Sequence, residues 1–160
     1  MAGLLKHIGR KLLLNRLGTP SGTGIVPLSQ VHSATVLADS SCSDVQVACD
    51  AVRQFFGYHG IPVTVICPRK GDLTFMGRLR KKFRIVGDKA REEDLFISLV
   101  ADPECFAAEY EMKASRARFK VGALQYSGNA VDLVVSAPEG SSASQSAIFA
   151  AIKDYLTKIK

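Results

Sequence analysis

Two polar loops hold most of the side chains in this chain that are equipped for ligand chemistry. The first, Asp39-Ser40-Ser41-Cys42-Ser43-Asp44, follows a short apolar run and precedes a helical pattern. Its hydroxyls, with the unpaired N–H groups that open a helix, make a natural seat for an anion. The second, Ala101-Asp102-Pro103-Glu104-Cys105, stands in the equivalent place after a later apolar run. Asp39, Ser40, Ser41, Ser43, Asp102 and Cys105 are therefore the candidate ligand-binding residues. Asp39 and Asp102 bring negative charge to that place, which opposes phosphate unless Mg²⁺ intervenes. Ser43 and Asp102 have a second explanation as helix caps, with Pro103 at the first helical position. Cys105, near a helix N-terminus, is placed for its thiol pKa to be lowered by the helix dipole.

The remaining reactive side chains form no catalytic pattern. His7, His32 and His59 fall on the N-terminal helix, before a strand and in a helix-to-strand turn, which supports no nucleophile–base order. Cys42, Cys49, Cys67 and Cys105 contain no C-x-x-C pair and no neighbouring histidines at metal-ligand spacing, so no metal site is expected. Cys49 and Cys67 read as small buried apolar groups in a reducing setting. The glycine-rich stretch GTPSGTGIVPLSQ is not a phosphate loop, because it lacks Gly-Lys-Ser/Thr and precedes a strand. Neither a reaction nor a cofactor is assigned by these residues.

The elements that position the loops are read from periodicity. Ala34 to Ala38 is a first strand, and Val45, Ala48, Val52, Phe55 and Phe56 repeat at helical spacing as far as Tyr58, with Ser43 as the cap and Gly60 as the stop. Ile61 to Cys67 is a β-branched strand ended by Pro68. Lys82 to Val86, alternating basic and apolar, is expected as a third strand at a wet edge. Leu95 to Val100 is an almost uninterrupted apolar run of the kind buried on both faces of a parallel sheet. A helix from about Pro103 to Ser115 and a strand from Ala117 to Val121, closed by Gly122, complete a βαβ unit. Val131 to Val135 gives the last strand, and after a Pro138-Glu139-Gly140 turn Ile148, Ile152, Tyr155 and Ile159 mark a closing helix.

This alternation predicts an α/β, three-layer Rossmann-like fold with a mostly parallel sheet. If the two βαβ units wind outward from the middle, the first strand and the Leu95 strand are neighbours, and their two loops line one crevice. Residues 31–160 form the single α/β domain, residues 18–30 a linker, and residues 1–17 a basic amphipathic helix.

Net charge over the 160 residues is +6, and its distribution is uneven. No acidic residue precedes Asp39, and Lys6, Arg10, Lys11 and Arg16 all fall in the first helix. Leu4, Leu5, Ile8 and Leu12 lie on its other side. Such a helix lies on an anionic membrane, clasps a protein partner or packs on its own domain. A second basic block, Arg78-Leu79-Arg80-Lys81-Lys82-Phe83-Arg84, adds Arg78, Arg80, Lys81 and Lys82 to Lys6, Arg10 and Lys11 as candidate contacts to an anionic partner. Nucleic acid is not the expected partner: the chain has no Trp, and Phe83 is the one aromatic in the basic block. No apolar run approaches the roughly 18 residues of a membrane span. A cytoplasmic protein, peripheral to the membrane at most, is the expectation.

Two resemblances add to this reading. The helix Leu4 to Arg16, the strand Asp94-Leu95-Phe96-Ile97-Ser98-Leu99, the loop cysteine Cys105 and the segment Ser115-Arg116-Ala117-Arg118-Phe119-Lys120-Val121-Gly122 resemble a family of small Bacteroidetes proteins catalogued as a domain of unknown function. That family carries an acidic first-strand loop where this chain has serines. The Asp94 strand and the Val121-Gly122 strand are also similar, more weakly, to the N-terminal half of heptosyltransferase-like glycosyltransferases, with Ser98 where those carry an acidic residue. The first resemblance implies lineage; the second implies a Rossmann-like half domain. The expected role is a non-catalytic binding or interaction module, the alternative a small nucleotide or sugar-phosphate-binding enzyme.

Overall fold

The computed structural model describes residues 2–17, 24–86, 89–136 and 144–159. Its elements in chain order are α1 (Ala2–Arg16), β1 (Ala34–Leu37), α2 (Val45–Tyr58), β2 (Val63–Ile66), α3 (Lys81–Arg84), β3 (Ile85–Val86), β4 (Lys89–Ala90), β5 (Leu95–Ser98), α4 (Phe106–Ala114), β6 (Phe119–Gly122), β7 (Leu133–Val134) and α5 (Gln145–Lys158), with short 3₁₀ turns at Leu28–Gln30 and Lys70–Asp72. Five strands form one all-parallel sheet in the order β2-β1-β5-β6-β7. Every residue of β1, β5 and β6 is buried. That is why these strands read as continuous apolar runs with no alternation.

Side chains leave successive strand positions on opposite faces, and this divides the core in two. Val36, Leu95, Ile97, Phe119 and Val121 pack with Val52, Phe55 and Phe56 of α2 and Phe149, Ile152 and Leu156 of α5. Leu37, Phe96 and Val100 point the other way, onto Ala107, Ala108 and Met112 of α4. Three layers result, and α1 lies outside them against α4. The α2–α5 layer is stitched by aromatic edges: Phe55 meets Phe56 at 5.1 Å and Phe149 at 6.0 Å, both near-perpendicular. Fully burying one such ring stabilises the fold by about 1.5–3 kcal/mol.

Local signals explain the boundaries of α2. Ala48, Val52, Phe55 and Phe56 form its buried stripe, and the chain turns away at Gly60, whose φ of +67° suits glycine. The Ile61 N–H then reaches back to the Phe56 carbonyl at 2.9 Å. Helix α4 differs: Phe106, Ala107, Ala108, Tyr110, Glu111 and Met112 are all buried, so it is covered nearly all round. The sheet covers one side, while Arg10 lies over the Phe106 ring and Arg78 over the Tyr110 ring on the other.

Three expectations are corrected. Lys82 to Val86 is not a strand of the main sheet: Lys81–Arg84 make one helical turn, and Ile85–Val86 pair antiparallel with Lys89–Ala90 in a separate two-stranded ribbon. The alternation of basic and apolar residues there follows the turn, with Lys82 drawn to Asp72 at 2.8 Å. Helix α4 begins at Phe106, not Pro103, and its N-cap is Cys105. Asp102 instead accepts from the Glu104 N–H at 2.9 Å within the preceding turn. Ser43 does not cap α2 either; Asp44 holds the N-cap position without a side-chain cap bond. The Asp44 carboxylate is committed elsewhere, accepting from the Ser146 N–H of α5 at 2.9 Å. Of the 18–30 linker, residues 18–23 lie outside the described residues, as does the Pro138-Glu139-Gly140 turn. Residues 24–30 run against the domain, with Val26 buried.

Candidate functional site

Strands β1 and β5 are hydrogen-bonded neighbours, Ala34 opposite Leu95 and Leu37 opposite Ser98. From them the chain departs in opposite directions, to α2 on one face and α4 on the other. This is the switch point at which open α/β sheets hold their ligands. A cavity of about 190 Å³ opens there, and Asp39, Ser40 and Cys105 of the two loops line it. Arg69 and Lys70, which follow β2 at the same end of the sheet, complete its rim. Periodicity did not single them out; the signal was their place, directly after a strand neighbouring β1. They supply positive charge beside Asp39 from the protein's own chain.

The loop is held by its own polar groups. Asp39 Oδ1 accepts from the Ser41 N–H at 2.9 Å and the Ser41 hydroxyl at 2.6 Å. The Ser40 hydroxyl donates to the Pro68 carbonyl at 2.6 Å, tying the first loop to the segment that follows β2. Ser41, Ser43 and Asp102 do not line the cavity; Ser41 and Asp102 brace turns. Cys105 does line it, and burial pushes its thiol above the ordinary value, outweighing the bonds it receives from the Ala107 and Ala108 N–H groups. The expected activation by the helix dipole is thus overridden by desolvation. Cys42, Cys49 and Cys67 are likewise raised, burial first. Among the described residues no group of three or more His, Cys, Asp or Glu is placed to hold a metal ion.

Helix α1 makes a second candidate surface, and its orientation is the unexpected feature. The face that docks on the domain is the basic one. Arg10 Nε donates to the Met76 carbonyl at 2.7 Å while its guanidinium lies 4.9 Å over Phe106. Gly9 lets the helix approach the Met76 side chain, and Lys6 lies 6.0 Å over Phe75. The apolar side faces outward: Leu4, Leu5, Ile8 and Leu12 are 60%, 66%, 46% and 56% exposed. Phe75, beside Lys6, is 73% exposed. Lys11 and Arg16 are exposed as well.

The second basic block does not act as one stripe. Arg78 is held against Tyr110, Arg80 Nε donates to the Gly71 carbonyl at 2.9 Å, and Lys82 pairs with Asp72. Lys81 is exposed. No helix among the described residues is long and apolar enough to cross a membrane. No family model, curated protein or solved structure matches this chain.

Proposed function

We propose that this chain is a non-catalytic α/β binding module that docks on an anionic membrane surface through α1. The observation that carries the reading is the inverted seating of that helix. Four large apolar side chains stand in solvent along one helical face, an arrangement that costs solvation free energy unless something covers them. Lys11 and Arg16 are exposed on the same helix, which has no acidic residue. A basic rim beside an apolar stripe is the pattern of interfacial helices, and each basic side chain near an anionic leaflet adds about 1 kcal/mol. Phe75 extends the apolar surface from the neighbouring loop. The resemblance to the Bacteroidetes family remains part of this proposal as a statement of lineage; its motifs fall on α1, β5, Cys105 and β6.

The test is cosedimentation with vesicles of phosphatidylcholine alone and of phosphatidylcholine mixed with phosphatidylserine. Binding to the anionic vesicles, weakened by salt and abolished in Leu5→Ser/Ile8→Ser, supports the reading. Equal sedimentation of that variant, or concentration-dependent dimerisation of the wild type without vesicle binding, overturns it.

A second reading is favoured by one observation: Arg69 and Lys70 share a cavity with Asp39 and Ser40. A small phosphorylated ligand at the switch point would use them. Its mark would be thermal stabilisation by nucleotides or sugar phosphates that disappears in Asp39→Ala and in Arg69→Gln.

A further inference from the structure

At the other end of the sheet, Arg78, Arg84, Arg91 and Arg116 open onto one cavity of about 410 Å³, with Tyr110 and Glu111 of α4 in its wall. The placement follows from topology: Arg91 precedes β5, Arg116 precedes β6, and the two strands are parallel. The cavity therefore lies at the strands' amino ends, away from the switch point.

The four arginines are not equivalent. Arg91 is fully engaged: Nε donates to Glu93 and Nη2 to Glu111, each at 3.2 Å, and Nη1 to the Phe83 carbonyl. These three charged side chains are at most 8% exposed. Among the described residues, the guanidinium groups of Arg78, Arg84 and Arg116 have neither an ion pair nor a hydrogen bond. Arg78 is nevertheless fixed, its guanidinium 4.1 Å over the Tyr110 ring. Arg78 and Arg84 act on Glu111 through space but do not reach it.

Three buried polar atoms in this wall lack partners: Arg78 Nε, Arg84 Nε and Glu111 Oε1. Buried polar atoms in folded proteins are nearly always paired, so a cluster of three at one cavity marks something missing. The charges facing the cavity are four arginines against Glu92, Glu93 and Glu111, a positive excess. Guanidinium forks match the oxygens of phosphate in geometry as well as charge. A bare phosphate, though, would fill little of the volume and would offer Glu111 Oε1 almost nothing. A hydroxyl on the same ligand answers that acceptor.

We propose that this cavity binds a phosphate monoester of a small polyol, with Arg78, Arg84 and Arg116 holding the phosphate and Glu111 accepting from a ligand hydroxyl. The inference is independent of membrane docking by α1.

The experiment titrates the full chain with glycerol 3-phosphate, using inorganic phosphate and glycerol as controls, by calorimetry and by NMR of the arginine Nε–H signals. Saturable binding of glycerol 3-phosphate, tighter than inorganic phosphate, with displaced Arg78 and Arg84 signals, is the expected result. Arg84→Gln and Arg116→Gln should each weaken it about tenfold or more, the loss of one charge-assisted hydrogen bond. Lys153→Gln, on the exposed side of α5, should leave it unchanged. No saturable heat and no signal displacement at millimolar probe overturns the proposal, as does loss of binding in Lys153→Gln. Inorganic phosphate binding as tightly as the monoester removes the polyol. If Arg84→Gln does not fold, the wild-type signals still decide.

Discussion

Asp39 and Gln145 exchange a pair of hydrogen bonds: the Asp39 N–H donates to Gln145 Oε1 at 2.7 Å, and Gln145 Nε2 donates to the Asp39 carbonyl at 2.9 Å. The side-chain amide thus imitates a strand neighbour for the first residues beyond β1. Together with Asp44 accepting from Ser146, it fastens the start of α5 to the switch-point loop. Gln145 is 1% exposed, so truncation strands two backbone groups where water does not reach. Gln145→Ala should cost about 1–3 kcal/mol, read as a lower urea midpoint with an unchanged slope.

Arg91 is expected to be the costliest charged side chain to lose. Arg91→Met leaves Glu93 and Glu111 buried without their partner, a loss of about 3–5 kcal/mol. Burial already pushes the Glu111 carboxyl up, against the opposing pull of Arg91; without Arg91 it moves further. A carboxyl raised in the folded state favours folding most below its unfolded value and progressively less as pH rises through its folded one. The deficit of Arg91→Met should therefore shrink as the pH falls towards the ordinary glutamate range, and Arg91→Met/Glu111→Gln should recover part of it at neutral pH. Urea unfolding at several pH values checks both.

His32 and Asp94 give the opposite pH dependence. The Asp94 carboxylate accepts from the His32 N–H at 2.7 Å and lies 3.1 Å from its Nδ1. The backbone bond first, and then the side-chain bond, hold its carboxyl below the ordinary aspartate value against partial burial. Such a group stabilises the fold fully above its unfolded value and loses that contribution as pH falls through the folded one. Asp94→Asn should cost about 1 kcal/mol at neutral pH, and the two melting curves should converge on acidification below the ordinary aspartate range.

Cys105 should alkylate slowly. With its thiol raised by burial, little thiolate exists at neutral pH, and thiolate is the nucleophile. Iodoacetamide labelling followed by mass spectrometry should show a Cys105 pH profile displaced above that of free cysteine. A profile displaced below it would contradict this account.

The order of the main strands and helices, and the adjacency of β1 and β5, were readable because buried parallel strands and amphipathic helices leave strong local patterns. Leu95 to Val100 and the Val52-Phe55-Phe56 stripe needed no tertiary knowledge. What escaped was set by distant partners. Asp44 looks like a spare acid beside a cap until α5 is folded onto it. Lys120 sits in a strand segment, Phe119-Lys120-Val121, where the charge suggests an outward face. It is fully buried, its ammonium donating to the Met112 carbonyl at 2.9 Å, and burial lowers its pKa. Glu111 is likewise a buried charge, on α4, hidden by Arg91 from the segment that follows the β3–β4 ribbon. At the site, Asp39, Ser40 and Cys105 were readable as loop residues beyond strand ends. Arg69 and Lys70 reach the same cavity only through the position of β2 in the sheet.

The sheet order also dictates how the chain must assemble. β1 can pair with β2 as soon as α2 has formed between them, but its other edge waits for β5, with the basic segment and the β3–β4 ribbon still to be threaded past. Until β5 arrives, Val36 and Leu37 belong to a two-stranded ribbon too small to be stable alone. Closing that long loop is the slow step such topologies impose, and during synthesis the unfinished edge of β1 is the surface most in need of protection from other chains.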